Sequence, residues 1–593
     1  MCGIFGYWNR KRRPIADSAL EGMARKLVHR GPDDEGVWAQ PQRGVAIGNR
    51  RLSIIDIGDG HQPFVSDDGK IAVVQNGEIF NYIELAADLR AQGVQLRTAS
   101  DTEVILRLYE REGISFLSKL NGMFAIAIDD AREDAMYLVR DRIGVKPLYV
   151  ADDGTRVIFA SEIKAMLPFT SASRGLDAVD LEAIHHYLTF NYIPAPWTVW
   201  QGIRHVMPGT WMKFTRSGVT THRWWHLADQ HERDHGFGEW AEEFMTILDD
   251  ATRIRLRADV PWGAFLSGGV DSSTIVGLMA RHVQRPVKTF CIGFADPRFD
   301  ESAFAAEAAR RFGCEHTSEI AELNMLDRWP QVLHHLDQPH GDASFMPTLR
   351  VSELAARDVK VVLTGDGGDE LFAGYEKYAA FFSDGFDARQ PMWQRAYFDS
   401  ISLFSAAAKE ALYRPDVARA MAGIDSFDAA AKSWLDEAAH FEPLNQALYL
   451  DMQLLLSGNN LVKPDRMGMA VSIEARTPFL DWRMMEFAFR SLSATNLEGG
   501  DKKHWYKKAV VPLIGQELAY RKKQMFTVPV GEWFRGQSYE WLARKLAAST
   551  LLDKLVRPEV VANMLERHRD GSANFTRELR ALAAIAIWSA EFE

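Results

Sequence analysis

The apolar positions of the chain change their rhythm near residue 226. Ahead of that point, short apolar runs are broken by turn residues, as in GVAIGNRRLSIID, KIAVVQNGEIFNY, GMFAIAIDD, AMYLVRD and PLYVADDGTRVIFAS. Runs of this length with Gly, Asn and Asp between them predict many strands. The same reading predicts helices over Ser18–Leu27, Tyr82–Ala91 and Glu103–Glu112, and so an α+β first domain over residues 2–225.

The stretch LADQHERDHG, Leu227–Gly236, is polar and without apolar periodicity, which predicts a linker, placed at 226–238. Its histidines, His226, His231 and His235, have no accompanying carboxylate or cysteine framework and read as a solvated linker rather than a metal site. Beyond it, over 239–593, the pattern becomes strand, Gly-rich turn, helix: VPWGAFL, then SGGVDSS, then TIVGLMARHV. A second strand, VKTFCIGF, leads to a helix over Glu301–Arg311, and a third, VKVVL, leads into TGDGGDELFAGY. Such alternation predicts a parallel sheet with ligand loops at the carboxyl ends of its strands. From about Lys377 the pattern is mainly helical, and no internal repeat is visible.

Length and composition agree with this division. A chain of 593 residues exceeds the size at which one core stops growing, roughly 250–300 residues. With 47% apolar and 25% charged residues it has the composition of a folded globular protein. A formal net charge of −11 offers no basic face for nucleic acid, and the run Arg10–Arg13 abuts Pro14 and reads as a solvated loop. No window reaches the roughly 20 apolar residues of a membrane span, and Ala581–Ala590 reads as a buried helix. The start lacks the layout of a secretory signal, so the mature terminus is expected next to Met1. Three cysteines, Cys2, Cys291 and Cys314, lie far apart without disulfide or zinc spacing, which fits a reducing cytoplasm. Cys291 and Cys314 read as small buried hydrophobes.

Candidate chemistry begins at Met1-Cys2-Gly3. Methionine processing tends to remove Met1 before a small residue, which would leave Cys2 with a thiol and a free amine. An α-amino group titrates near pH 8 and can serve as a built-in base for the thiol. Alone, Cys2 would read as an incidental surface thiol; its neighbours HRGPDDEG from His29, RRLSIID from Arg50, QNGEIFNY from Gln75 and ASDTEV from Ala99 change that reading. Together these motifs resemble the class II glutamine amidotransferase domain, the glutaminase half of asparagine synthetases and of glucosamine-phosphate synthases, over essentially the first two hundred residues. The resemblance implies an N-terminal-nucleophile fold of stacked antiparallel sheets between helices. It also implies that Cys2 attacks the glutamine side-chain amide while Asn76 and the Gly77 N–H form the oxyanion hole. On the same match Arg51 grips the glutamine α-carboxylate, and Glu78 and Asp101 hold its α-ammonium. The competing readings are a hairpin turn at Asn76–Gly77 and a surface charge at Arg51. Gly31–Pro32 marks a turn, so HRGPDDEG also reads as a loop-shaping segment.

The second candidate site is LSGGVDSS, covering Leu266, Ser267, Gly268, Gly269, Asp271, Ser272 and Ser273, between a predicted strand and helix. Glycines let backbone N–H groups approach phosphate oxygens, and the serines add hydroxyl donors at a helix N-terminus. Asp271 would repel phosphate unless a cation stands between them, which implies Mg²⁺. No G-x-x-x-x-G-K-[ST] occurs. The loop instead resembles the ATP-pyrophosphatase motif, in which ATP is cut between its α and β phosphates. That likeness implies an α/β parallel-sheet fold of the HUP-like kind with a helical C-terminal part, and carries Ile292 over as a further nucleotide contact. TGDGGDELFAGY resembles the second nucleotide and acceptor loop of asparagine synthetases, with Thr364 and Gly365 at the nucleotide, Asp369 at the metal or acceptor, and Asp366 where the family often has a Glu general base. DRMGMAVSIEARTPFLD, from Asp465, resembles the segment lining the inter-domain ammonia passage, and reads equally as a buried helix and turn. RKKQMF matches the family's late lysine at Lys523, which would stabilise charge on leaving pyrophosphate; Arg521 and Lys522 read as solvated neighbours. In LDQPHGDASFMPT, Gln338 replaces a Glu of many relatives, near where acceptor recognition is expected.

The two sites together imply glutamine hydrolysis at Cys2, adenylation of a carboxylate at the Ser267–Ser273 loop and attack by the released ammonia. Aspartate is the expected acceptor, with a peptide or a polysaccharide uronic acid as the alternative. Glutamine and ATP are the expected partners, and the resemblance is compatible with a homodimer. A nucleotide- or glutamine-binding relative without turnover is the rival from another class. Intact Cys2, Asn76, Asp271 and Lys523 argue against it.

Overall fold

The computed structural model describes residues 2–234, 236–321, 325–382, 386–390, 392–521 and 528–592. The first strand, Cys2–Asn9, is buried along its whole length, which requires cover on both faces. Alternation supplies it. Ile4 and Trp8 point to one side, into a core with Val45, Ile47, Ala72, Val74, Ala125 and Leu138, whereas Phe5 and Tyr7 point to the other, into a core with Leu20 and Met23 of the helix Asp17–Lys26 and Leu27 just after it. Two six-stranded antiparallel sheets therefore stack face to face. The outer face of the second sheet is covered by the helices Tyr82–Ala91 and Asp101–Glu112 through Leu85, Leu89, Ile105 and Leu108. The result is helix, sheet, sheet, helix, the stacked arrangement expected for an N-terminal-nucleophile fold.

In the second half five parallel strands run in the order Glu315–Ile320, Lys288–Gly293, Trp262–Phe265, Val361–Leu363, Glu474–Arg476. The chain builds outward from Trp262–Phe265 in one direction, then returns to its other side, so the switch point lies between Trp262–Phe265 and Val361–Leu363. Crevices at the carboxyl ends of such strands bind ligands. Both Gly-rich loops emerge there. Two strands of this sheet escape the periodicity. Glu315–Ile320 is a polar edge strand, and Glu474–Arg476 is three charged or small residues inside an otherwise helical region. The late apolar stretch forms the helix Thr576–Ser589, buried from Ala581 to Ser589. No helix of the described residues is long and apolar enough to cross a membrane.

The linker differs from a solvated one. Leu227 is fully buried, Glu232 accepts from the Glu442 N–H (2.9 Å), and the Arg233 N–H donates to the Arg490 carbonyl (2.8 Å), so the segment is pinned along the second half. His226 lies 3.7 Å from Glu437, His231 meets His440 edge-on, and His235 lies outside the described residues. Among the described residues no cluster of three or more His, Cys, Asp or Glu could hold a metal ion.

The halves are joined by buried charges. Arg30 bonds Glu162 (3.0 Å) and both oxygens of Asp465 (3.0 and 3.2 Å), Arg466 reaches Glu162 (2.9 Å) and Asp337 (3.3 Å), and Lys164 reaches Glu162 (2.5 Å) and Asp337 (2.9 Å). Burial alone would raise the Glu162 carboxyl, but His29, Lys164 and Arg466 hold it well below the usual range. Removing one partner of such a set strands the others, which is why it fixes how the halves meet.

Candidate functional site

The inner face of the sandwich is apolar except at one end. Residues sharing the inward parity of Ile4, Ile47 and Val74 include Cys2, Asn49, Arg51, Asn76 and Glu78, and all five are buried. Strand alternation thus assembles them without any loop. The Cys2 N–H donates to Asn76 Oδ1 (3.1 Å), and Asn76 Nδ2 faces Ser161 Oγ (3.4 Å). Burial pushes the Cys2 thiol up, while hydrogen bonds from the Asn49 side chain and the Leu52 N–H and the Arg51 charge pull it back. Asn76–Gly77 is no hairpin: both residues lie inside the strand Ile71–Ile79. Gly77 adopts φ +144°, and a Cβ there would come within 2.0 Å of the Met123 carbonyl oxygen, so no other residue fits without displacing the neighbouring strand.

Arg51 is not a surface charge. Its guanidinium is 4% exposed and donates to the carbonyls of Ile55 (2.9 Å) and Asp56 (2.7 Å), and no carboxylate of the described residues lies within ion-pair distance. A buried cation fixed by neutral oxygens is suited to an incoming carboxylate. Asp101 stands in the first turn of a helix capped by Ser100 and accepts from the Ile79 N–H (2.9 Å) and Gln75 Nε2 (3.0 Å). Burial raises both Asp101 and Glu78, and the charge of Glu474 raises each further. Arg476 opposes this, 3.9 Å from Glu78 and 2.6 Å from Glu474. An ammonium group would relieve that crowding of acids. The segment HRGPDDEG does more than shape a loop, for Arg30 Nε donates to the Cys2 carbonyl (3.1 Å) from the inter-domain charge cluster.

The second site gathers distant pieces of chain. After the strand Trp262–Phe265, the Leu266 N–H donates to the Phe290 carbonyl (3.0 Å), and the loop closes onto the first turn of the helix Val270–His282 through Ser267 Oγ and Ser272 Oγ (3.2 Å). Ser273 is fully buried, and Ile292 lies buried on the adjacent strand. The loop after Val361–Leu363 packs against the first: a Cβ on Gly365 would come within 2.7 Å of Asp271 Cβ, and one on Gly368 within 2.6 Å of Asp271 Oδ1. Glycine there brings Asp271 and Asp369 together. Between them stands Lys503, its Nζ 2.6 and 2.7 Å from the Asp271 oxygens and 2.7 Å from Asp369. These two carboxylates face one cationic group together, and their number and type are compatible with Mg²⁺, which characteristically takes one or two carboxylates plus substrate phosphates. Thr364 Oγ1 donates to Asp366 (2.7 Å); burial and the charges of Asp369 and Asp271 raise Asp366, and Lys463 works against them.

Sequence reasoning missed three cations here. Lys503 sits in no motif, at the left-handed residue (φ 54°) preceding the helix His504–Ile514. Lys463 bonds Ser344 Oγ (3.2 Å) and has no ion-pair partner among the described residues, although its charge acts on both Asp366 and Asp342. Arg521, read as a solvated neighbour, instead donates to the Gly268 carbonyl (2.7 Å) and pairs with Glu301 (2.7 Å), clamping the loop from behind; only its place two residues before the predicted Lys523 hinted at this. Lys523 and Lys522 lie outside the described residues. Gln338 turns away from this crevice, accepting from the Val199 N–H (3.3 Å) of the first half.

Comparison with known proteins settles the family. The asparagine synthase family matches residues 243–590, and the glutamine amidotransferase domain matches residues 1–225. The chain belongs to the asparagine synthase family. It is a glutamine-hydrolysing ligase in which both matched domains are present. It is 31% identical to asparagine synthetase [glutamine-hydrolyzing] 1 of Bacillus subtilis over 99% of this chain and 96% of that protein. A putative asparagine synthetase [glutamine-hydrolyzing] of Mycobacterium tuberculosis is 31% identical over 97% of this chain and 94% of its own length. An amidase of Gibberella zeae, chry2, is 26% identical over 90% of each chain.

Proposed function

We propose that the protein makes asparagine from aspartate, using glutamine as nitrogen donor and ATP cleaved to AMP and pyrophosphate. The observation that carries this reading is the inward-facing end of the sandwich, where Cys2 meets Asn76 and an Arg51 without a carboxylate partner among the described residues. With Met1 removed, the Cys2 amine takes the thiol proton, Sγ attacks the glutamine amide carbon, and Asn76 with the Gly77 N–H receives the oxyanion. Ammonia leaves, and water then releases glutamate from the thioester. Arg51 holds the α-carboxylate, and Glu78 and Asp101 hold the ammonium.

In the second half the acceptor carboxylate attacks the α-phosphorus of ATP and pyrophosphate departs, cradled by Ser267, Gly268, Gly269 and Ser272, with Lys503 and Lys523 as the cations beside it. Asp271 and Asp369 would hold Mg²⁺, whose chemistry when bound is to neutralise phosphate charge. Ammonia attacks the acyl carbon, AMP leaves, and Asp366, its carboxyl raised by burial and acidic neighbours, takes the surplus proton. Lys463, bonded by one hydroxyl, is the group we assign to the acceptor's second carboxylate. The division of labour follows domains at 2–225 and 239–593.

Full-length relatives named as asparagine synthetases favour aspartate. Relatives named as amidases, in Gibberella zeae and Penicillium rubens, favour a second reading with the same mechanism and another carboxylate acceptor. A screen of acceptors by pyrophosphate release, with glutamine and MgATP present, separates the two. Aspartate-dependent release with matching asparagine supports the first reading. Release only with another acid overturns it in favour of the second.

A further inference from the structure

Away from both reaction sites, a cavity of about 350 Å³ opens where the helix Leu181–Phe190 of the first half meets the helices Trp393–Ile401 and Ala406–Leu412 of the second. Its wall carries a lysine in an unusual setting. Lys409 is 5% exposed, yet no carboxylate of the described residues lies within ion-pair distance. Its close partners are neutral, His185 Nε2 (2.7 Å) and Thr189 Oγ1 (2.8 Å), and its third N–H direction meets only Ser426 Oγ at 3.4 Å and the His185 carbonyl at 3.5 Å. Arg395, on the same wall, is neutralised by Asp399 (3.0 Å) and Asp425 (2.6 Å).

Proton placement continues the pattern. Because His185 Nε2 accepts from Lys409, the imidazole proton resides on Nδ1, which donates to the Tyr413 oxygen 3.2 Å away. The Tyr413 hydroxyl hydrogen is then available on the cavity wall, beside the weakly used N–H of Lys409. The acid whose charge acts on Lys409 is Asp425, which is engaged at short range by Arg395 instead, so the buried ammonium lacks a close anionic partner and can accept one. The remaining wall selects the kind of anion. Phe398, Phe404 and Met421 are apolar, and Glu410 stands exposed at the rim without an ion-pair partner among the described residues. With Asp399, Asp425 and Glu410 all lining the cavity, a dianion such as phosphate is repelled, whereas a zwitterion meets both signs.

We infer that this cavity is a binding site for a free α-amino acid with an uncharged side chain, its carboxylate on Lys409 and Tyr413, its ammonium toward Glu410 and its side chain over Phe398 and Phe404. The site is independent of the reaction assigned above. Burial pushes the Lys409 ammonium down to about 8, with Asp425 pulling the other way and Arg395 adding to the fall; an arriving carboxylate would act in the same sense as Asp425. The cavity spans both halves, so occupancy ties them together.

Calorimetric titration of the full-length protein with L-leucine, 4-methylpentanoate and isoamylamine tests this. L-Leucine is expected to bind saturably, 4-methylpentanoate more weakly, and isoamylamine not at all. Tyr413→Phe, which deletes one hydroxyl, is expected to weaken L-leucine about tenfold, the worth of one hydrogen bond to a charged group. Lys409→Met is expected to abolish binding while thermal melting reports whether it folds; should it not fold, Tyr413→Phe decides alone. The inference is overturned if none of the three compounds gives saturable heat, if isoamylamine or 4-methylpentanoate binds as tightly as L-leucine, or if Tyr413→Phe binds L-leucine as the wild type does.

Discussion

The two candidate sites are built by opposite means. At Cys2 a period-two pattern does the work: strands of the two stacked sheets carry Cys2, Asn49, Arg51, Asn76 and Glu78 inward on the same parity as Ile4, Ile47 and Val74. Near Asp271 no single element suffices. The crevice takes its first loop from residues 266–273, its second from 364–370, and cations from positions 463, 503 and 521. A sheet-built site is rigid before substrate arrives, whereas a loop-built one depends on close approaches that glycines permit and on charges that must be shared. That contrast predicts that damage at the first site stays local, and that damage at the second spreads through its charge balance.

The largest expected effect is the simplest break. Cys2→Ala should lower glutamine-dependent amide formation by about 10³-fold or more, while synthesis from added ammonium salts continues, as measured by AMP release with each nitrogen source. Next comes the seam between the regions. Glu162→Gln leaves Arg466 and Lys164 short of an acid and should cost about 3–5 kcal/mol in denaturant unfolding. Since the folded Glu162 carboxyl is held below its unfolded value, its contribution is present above pH ~4.3 and is lost as pH falls further. Wild-type melting temperature should therefore drop more steeply below pH ~4 than that of Glu162→Gln.

A third prediction sharpens the contrast at the loop-built site. Asp271→Asn removes the acid that Lys503 grips with two bonds, and should lower pyrophosphate release about 10²–10³-fold while glutamine hydrolysis survives. The smallest effect concerns the sheet. Gly77→Ala must fit a φ of +144° and a 2.0 Å approach to the Met123 oxygen, and is expected to destabilise the fold by about 1–3 kcal/mol, read by thermal unfolding. Glutamine hydrolysis should fall with it and ammonia-dependent synthesis should not.

Much of the first site was legible because strand parity and motif coincide: Asn76 and Arg51 lie in runs whose apolar members already point to a shared core. The helices Tyr82–Ala91 and Asp101–Glu112 were legible for the same reason, and the Ser267 loop because glycine and serine mark a phosphate turn after a strand. What escaped was long-range charge. Lys503, Arg521 and Lys463 are lysines and an arginine in ordinary surroundings, and only the folded chain brings them against Asp271, Gly268 and Ser344, which lie 232, 253 and 119 residues away in sequence. The strand Glu474–Arg476 escaped because a three-residue run carries no period. The linker at Leu227 read as solvated because one buried leucine among polar residues leaves no pattern.

One labelling experiment bears most directly on the link between the two sites. Protein supplied with [amide-¹⁵N]glutamine, aspartate and MgATP should place ¹⁵N in the side-chain amide of asparagine, with one AMP and one pyrophosphate for each amide formed. Label accumulating only as free ammonium with ATP untouched, or amide formed alongside ADP, would contradict the coupling of a Cys2 glutaminase to an adenylating crevice.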